Sequence, residues 1–169
     1  SATVTGRAEA WYRLAVRQCG DDIRVLVDDV EVLRQRDATC RGGRIGLYAR
    51  GTHETYFDDV SVRSLDSLEL DTPALLGADA WQPRSGDWAM DAGSGECRFT
   101  GHGQRGWGDA TTAVATLGWA SWPAQRFETT VEAAADAAFG LAVGYRDDGS
   151  HLRILWQRQN GGRVSVSRV

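Results

Sequence analysis

The stretch GRIGLYARGTHETYFDDVSVRS, residues 43–64, decides how this chain is read. Two runs in it, RIGLYAR (44–50) and TYFDDVSVR (55–63), are rich in β-forming residues and bounded by turn residues, so both are expected to be strands. The stretch reads like the closing strands of a β-domain, yet it lies in the first half of the chain. The strands expected before it, RFETTVEAAADAAFGLAVGYRDDGSHLRILWQRQNGGRVSVSRV, come last, at residues 126–169.

Working outward, alternation of period two recurs in short runs separated by turns. WYRLAVRQ (11–18) sets Tyr12, Leu14 and Val16 against Arg13, Ala15 and Arg17. IRVLVDD (23–29) and VEVLRQ (30–35) follow, with Asp28 and Asp29 in a tight reversal between them. The middle is weaker. Residues 64–86 carry Pro73 and Pro83 and read as a connector, with a short strand near residues 68–70. DWAMD (87–91), GECRFTG (95–101) and TTAVATL (111–117) are short strand candidates, and GHGQRGWGD (101–109) is a loop.

The last third is strongly β. RFETTVEAA, FGLAVGYR, SHLRILWQRQ and RVSVSRV are separated by DDG and NGG turns, which are hairpin signals. The alanines of ETTVEAAADAA (128–138) favour helix, but the alternation and the β-branched start favour strand. About a dozen short strands without a convincing helix predict an all-β, two-sheet antiparallel sandwich of jelly-roll type.

The chain has 169 residues, a formal net charge of -4 and no lysine, so all nineteen basic residues are arginine. Its pI of about 5.3 argues against an electrostatic nucleic-acid partner. No run of 18 apolar residues suits a membrane helix, and the first residues lack the charged-then-apolar pattern of a signal peptide. A processed chain would read the same, so localisation stays open, with an extracellular or particle-surface setting favoured. Three cysteines, Cys19, Cys40 and Cys97, match no zinc spacing. A Cys19–Cys40 disulfide and three unpaired thiols both remain open.

Two blocks resemble the concanavalin A-like lectin/glucanase superfamily, especially its laminin-G-like and 3-keto-disaccharide-hydrolase-like modules. Residues 1–64, with WYRL, IRVLVDD, GRIGLY and FDDVSV in that order, resemble the C-terminal half of such a module. Residues 65–78 are the connector. Residues 79–169, with SGDW, FETTVEA and GLAVGYRDDGSHLRILWQR, resemble the N-terminal half. The halves are therefore in swapped order. This implies either one closed, circularly permuted sandwich or halves exchanged between chains, giving a homo-oligomer or polymer.

The resemblance implies a sugar-binding groove, but the Glu-x-Asp-x-x-Glu run of the superfamily's glucanases is missing, so no catalytic residue is assigned. Glu128 and Glu132 share a strand face and read as solvated carboxylates. Related modules often hold a structural calcium through an aspartate of the last strand. That points to Asp58 or Asp59, with Asp79 from the connector. Calcium is the only cofactor considered, because His53, His102 and His151 lack zinc-like spacing.

For ligand binding, alternation along SHLRILWQRQ puts His151, Arg153 and Gln157 opposite Leu152, Ile154 and Trp156. If the latter set is core, the former faces a groove that Tyr145, Arg13 and Arg24 could join. Trp107, in its glycine loop, is the candidate stacking ring, while Trp11, Trp88 and Trp122 match framework positions of the family. The expectation is a non-catalytic binding module, with a glycan as first candidate and a protein surface as second. The alternative is an assembly unit of a fibre or particle.

Overall fold

A computed structural model describes residues 1–5, 7, 10–39, 41–50, 54–65, 81–91, 98–102, 112–118, 124–133, 137–157 and 162–169. All regular structure among them is β. The first-half strands are β1 (Ala2–Thr3), β2 (Tyr12–Cys19), β3 (Asp22–Val27), β4 (Val30–Arg36), β5 (Arg44–Arg50) and β6 (Thr55–Ser64). The second half supplies β7 (Gln82–Ser85), β8 (Asp87–Asp91), β9 (Arg98–His102), β10 (Thr112–Leu117) and β11 (Ala124–Ala133). It also supplies β12 (Ala138–Asp147), β13 (Ser150–Gln157) and β14 (Arg163–Arg168).

These strands form two seven-stranded antiparallel sheets. Sheet I runs β1-β14-β13-β12-β5-β10-β7, and sheet II runs β4-β3-β2-β11-β6-β9-β8. The chain is thus an all-β two-sheet sandwich. The two halves of the sequence interleave within it. β5 lies between β12 and β10, and β11 lies between β2 and β6.

The period-two pattern sends one side of each strand inward. Leu14, Val16, Ile23, Val25, Phe127 and Val131 of sheet II meet Ile45, Leu47, Phe139, Leu141, Leu152, Ile154 and Trp156 of sheet I, all of them fully buried. Trp156 is central. Tyr12 of the opposite sheet meets its ring edge-on at 5.0 Å, and Phe139 packs at 5.4 Å. Such pairs are favourable beyond their burial alone. Gly140 is needed for close approach, because a Cβ there would stand 1.9 Å from the Ile154 carbonyl oxygen on the paired strand.

Turn chemistry agrees with the local sequence. Asp28 and Asp29 both have positive φ, 49° and 63°, the left-handed pair that a two-residue hairpin turn requires. The segment around residue 128 is strand, as its alternation indicates. Pro83, expected to break regular structure, instead sits in β7 at the edge of sheet I, paired with Ala115. An edge strand tolerates proline because its outward N–H needs no ladder partner. The short strand expected near residues 68–70 lies outside the described residues. The Cys19–Cys40 pairing is corrected: Cys19 is a free, exposed thiol at the end of β2.

One ion pair ties the two sheets together at their edges. Asp37, just after β4, is buried and accepts a hydrogen bond from Arg168 of β14 at 2.9 Å. Burial works against its charged form. Hydrogen bonds from the Thr39 hydroxyl, the Thr39 N–H and Arg168 overcome that cost and bring its pKa down to about 2. A carboxylate with a lowered folded-state pKa stabilises the fold above its unfolded value, and that stability is lost as pH falls through the folded value. Asp37→Asn is expected to cost about 2 kcal/mol at pH 7. It should also flatten the loss of stability between pH 4 and pH 2, as read by urea unfolding across that range.

Candidate functional site

The residues singled out from sequence fall on the outer faces of different sheets. His151, Arg153, Gln157 and Tyr145 belong to β12 and β13 of sheet I. Arg13 and Arg24 belong to β2 and β3 of sheet II. The core lies between, so the six do not share one groove. Trp107 and Asp79 lie outside the described residues.

On sheet I, Leu152, Ile154 and Trp156 point into the core, so His151, Arg153 and Leu155 point outward. A kink in β12 brings Tyr145 to the same side. The ladder to β13 shifts register after Val143, where Gly144 takes φ 63°. A bulge of this kind re-aims the following side chain. Tyr48, Val114, Ala138, Tyr145 and Leu155 then form a second buried apolar cluster on this outer face.

Several polar groups here are engaged with one another. Arg153 stacks 5.4 Å from the Tyr48 ring centroid and donates to its hydroxyl at 3.2 Å. Arg84 stacks 5.7 Å from Tyr145, and the Tyr145 hydroxyl donates to Asp148. His151 packs 5.1 Å from Tyr145. Burial, with the Asp148 carboxylate adding to it, raises the Tyr145 pKa to about 12. The rings of Tyr145 and Tyr48 thus already carry arginine partners and are almost fully buried. Gln157 is exposed at the end of β13.

Sheet II presents a different surface. Leu14, Phe127, Thr129 and Val131 turn inward, leaving Arg13, Arg126, Glu128 and Thr130 outside. The register places Arg13 opposite Thr130, with Glu128 two residues along the same strand. Arg13 donates to Glu128 and sits 3.2 Å from Asp29. Arg126 lies 2.7 Å from the other Glu128 oxygen and 3.7 Å from Asp29. Two guanidinium groups and two carboxylates thus form a closed quartet. Burial raises the carboxyl pKa of Glu128, but the Arg13 and Arg126 contacts outweigh it and hold the group below its ordinary value. The expectation that Glu128 is a freely solvated carboxylate is corrected, since only 12% of its side chain is exposed. A neighbouring network joins Arg24 and Arg34 to Asp22 at 2.8 and 2.7 Å.

Beside the quartet, β6 bulges. Its pairing with β11 shifts between Glu128 and Thr130, and Asp59 takes a left-handed φ of 49°. Thr129 secures the bulge by donating its hydroxyl to the Asp58 carbonyl at 2.7 Å. Asp58 caps the Asp59 N–H at 2.9 Å, and Thr130 donates to the Asp59 carboxylate at 3.2 Å. Arg13, Asp59, Glu128, Thr129 and Thr130 line an open pocket of about 290 Å³. Trp11, which immediately precedes β2, is 41% exposed. Tyr56 of β6 pairs opposite Glu132, next along this face.

This surface can offer rigid hydrogen-bonding forks and hydroxyls. Glu128 is held charged, which opposes a general-acid role near neutral pH. Among the described residues no cluster of three or more histidine, cysteine, aspartate or glutamate side chains suits a metal ion. Asp58 and Asp59 are occupied with the bulge. The sequence reading named Arg13 and Asp59 separately but missed Glu128 and Thr130 as their neighbours. The only sequence signal was the outward parity they share. Searches against protein-family models and against curated proteins find no match to the chain.

His151 gives a direct check on sheet I. Burial lowers its pKa, Arg153 adds to that, and the Asp147 carbonyl beside Nδ1 opposes it. Folding therefore disfavours its proton. Stability is full above the unfolded value near 6.5 and falls as pH drops below it. In His151→Leu, the slope of unfolding free energy against pH just below 6.5 should become shallower than in the parent protein.

Proposed function

We propose that this chain is a non-catalytic, glycan-binding module whose ligand sits on the outer face of sheet II. The observation that carries the reading is the open pocket lined by Arg13, Asp59, Glu128, Thr129 and Thr130. A few fixed polar groups in a concavity orient a saccharide. On sheet I the tyrosine faces are taken by arginines. The concanavalin A-like resemblance supports the same class of ligand. A closed, circularly permuted sandwich accounts for the swapped order. Strands from the two halves pair within one chain, and β1 pairs with β14, so the two ends of the chain lie on neighbouring strands.

Binding to a glycan array, followed by titration calorimetry on the strongest hit, tests this reading. Arg13→Gln should weaken the hit about tenfold or more while the variant still unfolds in one cooperative transition. Full binding by that variant, or no binding across neutral, cationic and anionic glycans, would sink the proposal.

The interleaving of β5 and β11 supports a second reading, an assembly unit. Exchange of whole halves between two chains would recreate every strand pair. Light scattering over a range of concentrations separates the two. A steady mass near 18.4 kDa is expected for the closed chain. A dimer or a mass that grows with concentration would put assembly first.

A further inference from the structure

The two outer faces hold their arginines differently. On sheet II, Arg13, Arg24, Arg34 and Arg126 each pair with a carboxylate. On sheet I, alternation against the buried Ile45, Leu47, Ile154 and Val164 turns Arg44 and Arg50 of β5, Arg153 of β13 and Arg163 of β14 outward. Arg84 of β7 reaches the same side, where it donates to Thr116. Among the described residues none of these five forms an ion pair. Arg44 donates to the Gly118 carbonyl, Arg84 to Thr116 and Gln82, Arg153 to Tyr48 and Arg163 to Ser1, all neutral acceptors. The Arg50 guanidinium donates to nothing among the described residues. Asp147 and Asp148 stand at one end of this face, in the β12–β13 turn, and Asp148 already accepts the Tyr145 hydroxyl.

Arg153 departs furthest from what its surroundings require. It is only partly exposed, and its Nε is buried with no hydrogen-bond partner. A guanidinium withdrawn from water is ordinarily paired with an acid, because an unpaired charge there is costly. One terminal nitrogen, Nη1, is spent on the Tyr48 hydroxyl. That leaves the Nε–Nη2 edge, and two parallel N–H groups match the two oxygens of a carboxylate.

We propose that the outer face of sheet I is a docking surface for an acidic segment of a partner protein, with one of its carboxylates on Arg153. This surface is separate from the sheet II pocket and does not rest on the glycan reading. Charge complementarity carries the choice of partner. A chain of net charge -4 gathers five guanidinium groups without acids on one face, which steers and orients an anionic partner. A saccharide or a nucleobase would need an open ring to stack on. The rings of Tyr48 and Tyr145 are buried and carry Arg153 and Arg84, so a partner meets the arginines first.

Calorimetry at low salt with a decapeptide alternating glutamate and serine tests the assignment. The glutamate peptide should bind, more weakly as salt is added, and its glutamine–serine counterpart should not. Arg153→Gln should weaken binding about tenfold. Arg50→Gln should weaken it about threefold, and it removes no contact of the fold, so it decides the matter if Arg153→Gln unfolds with the loss of its Tyr48 contact. Arg17→Gln takes an exposed arginine from sheet II and should leave binding unchanged. Failure of the glutamate peptide to bind overturns the proposal. So does parent-like binding by Arg50→Gln or by a folded Arg153→Gln, or an equal loss in Arg17→Gln. Heparin or oligothymidylate binding more tightly than the peptide, and weakened by Arg50→Gln, would also overturn it and reassign the face to a sulfated glycan or to nucleic acid.

Discussion

The structure depends on two strands that each half of the chain lends to the other. β11 pairs on one side with β2 and on the other with β6, and β5 does the same between β12 and β10. Without β11, sheet II would split into a three-stranded piece and a separate β6 edge. Without β5, β12 and β10 would each face water with an unpaired ladder. An isolated half would therefore expose long strand edges and half of an apolar interior, a state that pairs with whatever strand is near. The Tyr12–Trp156–Phe139 contact extends this dependence across the core, because Tyr12 comes from the first half and its partners from the second. Order along the chain therefore matters less to this fold than having both halves present.

The two outer faces show how a small backbone irregularity changes what a sheet can do. At Gly144, a bulge turns Tyr145 onto the Tyr48 face, where arginines fill the ring surfaces and burial removes the polar groups from water. At Asp59, a bulge does the reverse. It lifts a carboxylate out of the regular ladder beside the Arg13–Glu128 pair and leaves an open polar depression. Both bulges carry left-handed residues. One is a glycine, which adopts that conformation without strain, and the other is an aspartate held by Thr129 and Thr130. The chain has no lysine; arginine carries all of its guanidinium or ammonium side-chain charge. Its planar fork allows Arg13 and Arg126 to share one glutamate and one aspartate without crowding, an arrangement lysine could not reproduce.

Much of the fold was legible because its signals are local. Alternation in WYRLAVRQ, IRVLVDD and SHLRILWQRQ correctly separated Leu14, Val16, Ile23, Val25, Leu152, Ile154 and Trp156 from their outward neighbours. Asp28-Asp29 announced a tight hairpin, since aspartate tolerates positive φ better than most residues. Pro83 misled, because a proline's cost depends on whether its strand is central or at an edge, and that is a property of the sheet.

By itself the sequence determined which side of each strand is apolar, where the chain turns, and that two sheets must close over one core. These follow from side-chain alternation and turn chemistry, which act within a few residues. Only the tertiary structure decided which outward faces are shared. Arg13 and His151 have the same outward parity, yet they end on opposite sides of the sandwich, because strand order within a sheet is set by long-range pairing. Glu128 meets Arg13 across 115 residues of chain, and Asp59 joins them only because a bulge in β6 falls opposite Thr129. Burial of the Tyr48 face and openness of the Arg13 face likewise arise from packing between distant segments, which no local pattern encodes.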